Sequence, residues 1–380
     1  MSQILEEVQN LLWSASGAAR KDLLIQLHEL IVSAESPAET ATRIALYPAQ
    51  TAVTKIGQDL GIFEILTEHG PQSLEELQAS TKAHPVTLGR LLRYMAAVGL
   101  IRETAPQHFD ANKKCKSLAT PQAATILTHF FLNCSPLFQE MPAFLRAYDY
   151  QDVTDGKATV FQAAYRTDMD TYQWFSQNPE HKTALIRFMG QEQAVRGLWI
   201  SEYPFEHETK SWDPEAPVFV DIGGNVGYYC ALFKKTLPDV PGRVILEDLP
   251  STIDQALKTP GVETVGHDFF KPQPIRGSKY YHLGWVLHNW NDEKSAAILR
   301  QIKPAMTRDS VILINDMVLP EVQIPPFAAA LDLVMLGACG SRERTMKEWQ
   351  ELLGGVGLVL RECILYDSEQ CHGIISATLE

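Results

Sequence analysis

The chain is predicted to be an α/β protein, with a C-terminal Rossmann-like, doubly wound domain and an N-terminal all-α, winged-helix domain. Three observations predict this. Apolar residues recur at helical spacing through the first hundred positions. After about Pro214 the pattern changes to short apolar runs that end in glycine or an acid and alternate with helical stretches. A chain of 380 residues also exceeds the usual size of one domain. The expected division is residues 1–120 as the helical and winged-helix domain, 121–205 as a helical segment walling a pocket, and 206–380 as the Rossmann-like domain.

From Ile4 to about Ser33, the positions Ile4, Val8, Leu11, Leu12, Leu23, Leu24, Leu27, Leu30 and Ile31 give one or two amphipathic helices. Their apolar surface must pack on the body or on another subunit. The segments AVTKIGQDLGIFEIL, SLEELQAST and PVTLGRLLRYMAAVGLI predict three further helices before a hairpin. Ser73 and Glu76 form a capping box for the second, and Pro85 suits the first turn of the third. Such a winged helix raises the possibility of DNA binding. Leu88, Leu91, Leu92 and Met95 instead make the third helix a core helix with only Arg90 and Arg93 for charge, and the net charge of −13 opposes a polyanionic partner. No nucleic-acid partner is expected.

Residues 120–205 read as helical and aromatic-rich, with HFFLN, YQWFSQNPE and LIRFMGQEQAVRGLW. A helical core explains such aromatics. They also suit the wall of a pocket for an aromatic or polyketide-like small molecule, with His129, Phe130, Asn133, Trp174, Phe188 and Met189 as candidate lining residues. The six cysteines include no CxxC pair and no accompanying histidine cluster, which points to reduced thiols and no metal centre. MSQILEEVQNLL lacks the basic and apolar regions of a signal peptide, and no stretch of 18 apolar residues occurs. A cytoplasmic protein without membrane contact is expected.

The C-terminal runs VFVDIG, RVILED, KYYHLGWVL and SVILINDMVL predict the strands of a parallel sheet. VFVDIGGNVGYYCALFKK places Asp221 and the glycines 223, 224 and 227 between a buried strand and a helix. Glycines there let the backbone turn sharply and approach a ligand. Asp248, at the end of the next strand, stands about 25 residues further on, where a carboxylate grips ribose hydroxyls. Nicotinamide and adenosylmethionine cofactors both use this arrangement, so these residues alone leave the choice open.

Taken together, DIGGNVGYY, LEDLP, GHDFFKPQP, LHNWND, INDMVLP and RERTMKEW resemble, in order and spacing, the fungal and plant small-molecule O-methyltransferases. The resemblance covers nearly the whole chain. It implies S-adenosyl-L-methionine as cofactor, methyl transfer to a phenolic or enolic secondary metabolite, and a homodimer formed through the winged-helix domain. It also implies that Asp221, Gly223, Gly224 and Asn225 form the cofactor turn, that Asp248 binds the ribose, and that Asp268 and Phe269 flank the adenine. The family's general base falls on His288, with Asp316 and Glu343 as its partners. A base suits this chemistry because a phenol has a reference pKa of about 10 and must lose its proton to attack a methylsulfonium.

Four positions depart from the family pattern. Asn225 replaces the middle glycine of the turn, Asn289 the aspartate after the base, and Asp316 a glutamate of many members. Gly284 stands where some plant members have lysine. Some fungal relatives of this fold act as pericyclases, in which cofactor charge or pocket donors lower a cycloaddition or dehydration barrier and no methyl group moves. His129, His288 and Asn225 are candidate donors for such a reaction, so a pericyclase or dehydratase is the second expectation. A DNA-binding regulator and a nicotinamide-dependent dehydrogenase are weaker alternatives.

Overall fold

A computed structural model describes residues 2–196, 199–368 and 370–380. The chain divides into two compact units, Met1–Leu127 and Thr128–Glu380. The expected helical run over 185–199 is described as far as Arg196, and Gly197 and Leu198 lie outside the described residues.

In the first unit, the amphipathic N-terminal stretch forms helices Ser2–Ser14 and Gly17–Ala34, followed by Pro37–Ala45. These helices leave large apolar side chains exposed, Trp13 at 68% and Leu30 at 66% among them. The next predicted helix is two, Tyr47–Asp59 and Ile62–His69, because Gly61 adopts a left-handed φ of +68° between them. The Ser73–Glu76 capping box forms as expected, with Glu76 accepting from the Ser73 backbone N–H at 2.7 Å and Ser73 Oγ accepting from the Glu76 N–H at 3.2 Å. Pro85 opens the helix Pro85–Ala97, whose Leu88, Leu92 and Met95 are fully buried. A small antiparallel sheet of β1 (Gln72–Ser73), β2 (Arg102–Ala105) and β3 (His108–Asp110) completes the winged helix. The third helix thus turns its apolar face into the core, while Arg90 and Arg93 are exposed.

The second unit carries a mixed sheet. Its parallel part consists of β4 (Pro217–Ile222), β5 (Arg243–Asp248), β6 (Val262–Gly266), β7 (Tyr280–Gly284) and β8 (Val311–Leu319). A short β9 (Arg344–Thr345) pairs in parallel with the end of β8. The wholly parallel sheet expected from the sequence is extended by β10 (Leu358–Asp367) and β11 (His372–Leu379), which add antiparallel beside β8 to give the order β10-β11-β8-β7-β4-β5-β6. The apolar runs of β4, β5, β7 and β8 are buried almost throughout, as strands covered on both faces must be.

The helical stretch before the sheet includes one turn of π-helix, Phe130–Cys134, between helices Pro121–His129 and Ser135–Ala147. Its core is shared with the sheet unit. Cys134, Leu137, Met141, Val160, Phe161 and Phe175 cluster with Val334 and Ala338 of the helix Pro326–Cys339. Among the described residues, no helix is long and apolar enough to cross a membrane.

Candidate active site

Strand order reverses between β4 and β7, and ligands of open α/β sheets bind at the carboxyl ends of strands beside such a switch. The predicted residues gather at those ends. The turn after β4 is tight because its glycines leave no room for side chains. A Cβ on Gly224 would stand 2.4 Å from Asp221 Oδ2 and 2.6 Å from Leu246 Cδ1. Gly223 has φ +68°, and Phe269 lies 3.3 Å from where its Cβ would be. Asn225 takes a left-handed φ of +55°, and its side chain is exposed. Asparagine tolerates that conformation, so the departure costs the turn nothing in shape.

Asp221 does not face the cleft. Its carboxylate is fully buried beneath the turn, where Oδ1 lies 2.7 Å from His282 Nδ1 and Oδ2 accepts from Cys230 Sγ at 3.8 Å. His282 is in turn stacked between Trp199 and Phe219. Asp248, half-buried at the end of β5, accepts the Asn225 N–H on Oδ2 at 2.9 Å and the Leu249 N–H on Oδ1 at 2.7 Å. Two backbone donors fix this carboxylate, and each oxygen keeps a lone pair for a ligand hydroxyl. Asp268 Oδ1 caps the Phe270 N–H at 3.0 Å, which orients the Phe269 ring beside the glycine turn.

The sequence did not single out Glu247. It is fully buried next to Asp248, and burial pushes its carboxyl up to about 7 although Gln273 donates to it at 2.8 Å.

His288 sits in the short 3₁₀ turn Leu287–Asn289 after β7, 9% exposed. Its Nδ1 lies 2.9 Å from Glu343 Oε1 and 3.9 Å from Asp316 Oδ1. The sheet supplies this geometry, because Asp316 is on β8 and Glu343 precedes β9, which pairs with β8. Asp316 is fully buried, and its nearest charged or polar neighbours are His288 and Glu343. Burial pushes its carboxyl up to about 7, with His288 pulling it down and Glu343 pushing it up. The Trp285 ring meets the imidazole edge-on at 5.2 Å. One ligand atom from each of His288, Asp316 and Glu343 lies within 4.8 Å of the others, a spacing that a divalent ion also accepts.

Two further departures have local reasons. Asn289 donates through Nδ2 to the Trp285 carbonyl at 2.9 Å, a bond that an aspartate carboxylate could not donate. At Gly284 a Cβ would fall 2.7 Å from His282 Cε1 and 2.8 Å from Tyr229 Cε2, so no side chain fits there.

The helical candidates form a second polar cluster. His129 is buried and stacked on Phe188 at 4.5 Å, with Phe130 packed edge-on against both rings. Its Nδ1 is 3.1 Å from Asn133 Nδ2 and its Nε2 is 3.7 Å from Cys134 Sγ. Asn133 also donates to the His181 carbonyl and accepts from His181 Nδ1 at 2.7 Å. Burial drives the His129 pKa down to about 4, so the ring is neutral. Trp174 packs with Phe161, Tyr165, Phe175 and His181, and Met189 is half-buried on the helix Pro179–Arg196. Gln177 is exposed.

Residues 46–127 match the family model of the O-methyltransferase dimerisation domain, and residues 151–359 that of the O-methyltransferase domain. The chain is 39% identical to demethylsterigmatocystin 6-O-methyltransferase of Aspergillus parasiticus, over 90% of this chain and 89% of that one. It is 36% identical to O-methyltransferase lepI of Aspergillus flavus, over 94% of each chain. The solved structure of LepI in complex with SAM superposes with a TM-score of 0.85 at 33% identity, covering 100% of this chain and 98% of that one. By its two matched domains and its likeness to these enzymes along most of its length, the chain belongs to the O-methyltransferase family.

Proposed function

We propose that this protein is an S-adenosyl-L-methionine-dependent O-methyltransferase that acts on a phenolic or enolic secondary metabolite, with His288 as general base. The observation that carries this reading is the 2.9 Å contact between His288 Nδ1 and Glu343 Oε1 at the carboxyl end of the sheet. The donor set near the glycine turn fits the cofactor. Asp248 offers a fixed carboxylate to ribose hydroxyls, while Gly223, Gly224, Asn225, Asp268 and Phe269 surround the adjoining turn. When bound, the cofactor supplies an electrophilic methyl group on a sulfonium.

The protein's own part is to manage a proton. Glu343 accepts from Nδ1–H, which makes Nε2 the ring nitrogen that takes up the proton of a substrate hydroxyl. The acids then stabilise the imidazolium that forms, the role a carboxylate plays beside a catalytic histidine. Such assistance contributes about 100- to 10,000-fold in rate. The metabolite binds against the aromatic segment that holds Phe130, Phe188, Trp174 and Met189, next to His129 and Asn133. The enzyme works as a homodimer in the cytoplasm, without a metal, membrane or nucleic-acid partner. The dimerisation-domain match and the exposed apolar faces of the N-terminal helices support the dimer.

A second reading has its own support. The solved structure of a pericyclic reaction enzyme superposes at a TM-score of 0.84 and 33% identity, and the His129–Asn133–His181 cluster is a set of preorganised polar groups in the helical segment. The test is mass spectrometry of phenolic and enolic polyketide-type compounds incubated with protein and methyl-labelled cofactor. Labelled product with adenosylhomocysteine is expected. An unlabelled isomer or dehydrated product, with cofactor unconsumed, would establish the second reading instead.

A further inference from the structure

The turn that presents His288 is held by side chains of residues 341–344, together with Asn289, which donates to the Trp285 carbonyl, and Ser295, whose Oγ donates to the Leu287 and Trp290 carbonyls at 3.2 and 3.1 Å. Ser341 Oγ donates to the His288 carbonyl at 2.7 Å. Glu343 meets the imidazole. Arg344 then grips the carbonyls on either side, with Nη1 donating to Leu287 O at 3.1 Å and Nη2 to Trp290 O at 2.8 Å. Its Nη2 also donates to Ser295 Oγ at 3.2 Å, and its Nε donates to Asp292 Oδ1 at 2.9 Å.

Arg344 is fully buried, and a guanidinium out of water is costly unless its N–H groups are satisfied. Here the planar fork is matched by two main-chain oxygens, a hydroxyl and a carboxylate, while its flat face lies over the Trp349 ring with 5.0 Å from carbon to centroid. A lysine has the charge but not the fork. Asp292 is shared with the half-exposed Arg342, and these two guanidiniums hold its carboxyl below the usual range despite partial burial pulling it up.

We infer that Arg344 is a positioning residue for the His288 imidazole: its fork locks the backbone on both sides of the ring while its neighbour Glu343 locks Nδ1. The inference rests on the reading of His288 as base. It makes a buried cation part of the catalytic geometry, and it explains why both acid and arginine stand in the one segment that β9 fixes to β8.

The experiment compares kcat, KM, cofactor affinity and pH profile in Arg344→Lys, Arg344→Met, Asp292→Asn and His288→Ala. Arg344→Lys is expected to lower kcat roughly 10- to 100-fold while KM and cofactor affinity change less than about threefold. Arg344→Met should in addition move the acid limb of kcat/KM to higher pH, because a lost cation favours the protonated imidazole. Asp292 is half-exposed, so Asp292→Asn keeps the fold and should lower kcat about 3- to 10-fold, which decides the matter if the arginine variants do not fold. Arg344→Lys should cause no further loss in a His288→Ala background.

Wild-type kcat and pH profile in Arg344→Lys or in Asp292→Asn would overturn the inference. So would an equal further loss in the His288→Ala background. His288→Ala alone with undiminished turnover would instead remove the base reading, and the two failures are thereby told apart.

Discussion

His288 and His129 are both buried histidines with hydrogen-bonded rings, yet their surroundings fit them for opposite tasks. His288 meets the Glu343 carboxylate at 2.9 Å, with the Asp316 carboxyl 3.9 Å away, so a positive ring is compensated by Glu343 where it forms. His129 meets an amide, a thiol and a phenyl face, none of which compensates charge, and burial drives its pKa down to about 4. The first environment takes up a proton, and the second keeps a neutral ring as a fixed polar group. Burial alone therefore says little about a histidine's role; the charge type of its partners decides it.

The comparison can be broken most severely by removing the compensating charge. Glu343→Gln keeps the shape and is expected to lower kcat by about 100-fold or more, with cofactor affinity nearly intact. Steady-state kinetics beside a binding isotherm would check it, and unchanged kcat would mean the carboxylate does not serve the base. At the other histidine the expected loss is in stability. His129→Leu leaves Asn133 and Cys134 short of a partner and should cost about 1–3 kcal/mol in denaturant unfolding, with turnover within several-fold of wild type. A collapse of turnover in a folded His129→Leu protein would move the chemistry to the helical cluster.

A smaller effect sharpens the comparison through pH. The Asp316 carboxyl is raised to about 7 in the fold from a usual value near 3.8, so the folded state holds its proton more tightly than the unfolded state does. Its contribution to stability is therefore complete below the usual value and is lost as pH rises from there through about 7. Asp316→Asn should flatten the melting temperature between about pH 4 and 7. Glu247, raised to about 7 by its own burial, leaves a residual slope of the same sign. If Asp316→Asn leaves the slope untouched, the carboxyl is not held protonated as described. The smallest effect expected is none: exhaustive chelation should leave turnover unchanged, although His288, Asp316 and Glu343 are close enough to share an ion. Loss of activity on chelation, restored by a divalent metal, would make the trio a ligand set.

The sequence shows these regions unequally, for physical reasons. The Ser73–Glu76 cap, the four runs of β4, β5, β7 and β8, and the turn between Asp221 and Gly227 are local patterns, and each is found where its residues stand. Asp316 and Glu343 were reached only through family resemblance, because Glu343 meets a ring 55 residues earlier and periodicity does not encode such pairings. For the same reason the buried side of Asp221, the antiparallel β10 and β11, and the π-turn that places Asn133 against His129 were missed. Arg344 stood inside RERTMKEW, the motif already singled out, but an arginine beside an acid reads as a surface pair until its burial is known.

The most direct test of the central claim is His288→Ala compared with wild type, in a single turnover with methyl-labelled cofactor and a parallel measurement of cofactor binding. The account predicts that the variant binds cofactor nearly as well as wild type while label transfer falls by about 100-fold or more. Undiminished transfer from the variant would contradict it and remove His288 as the base.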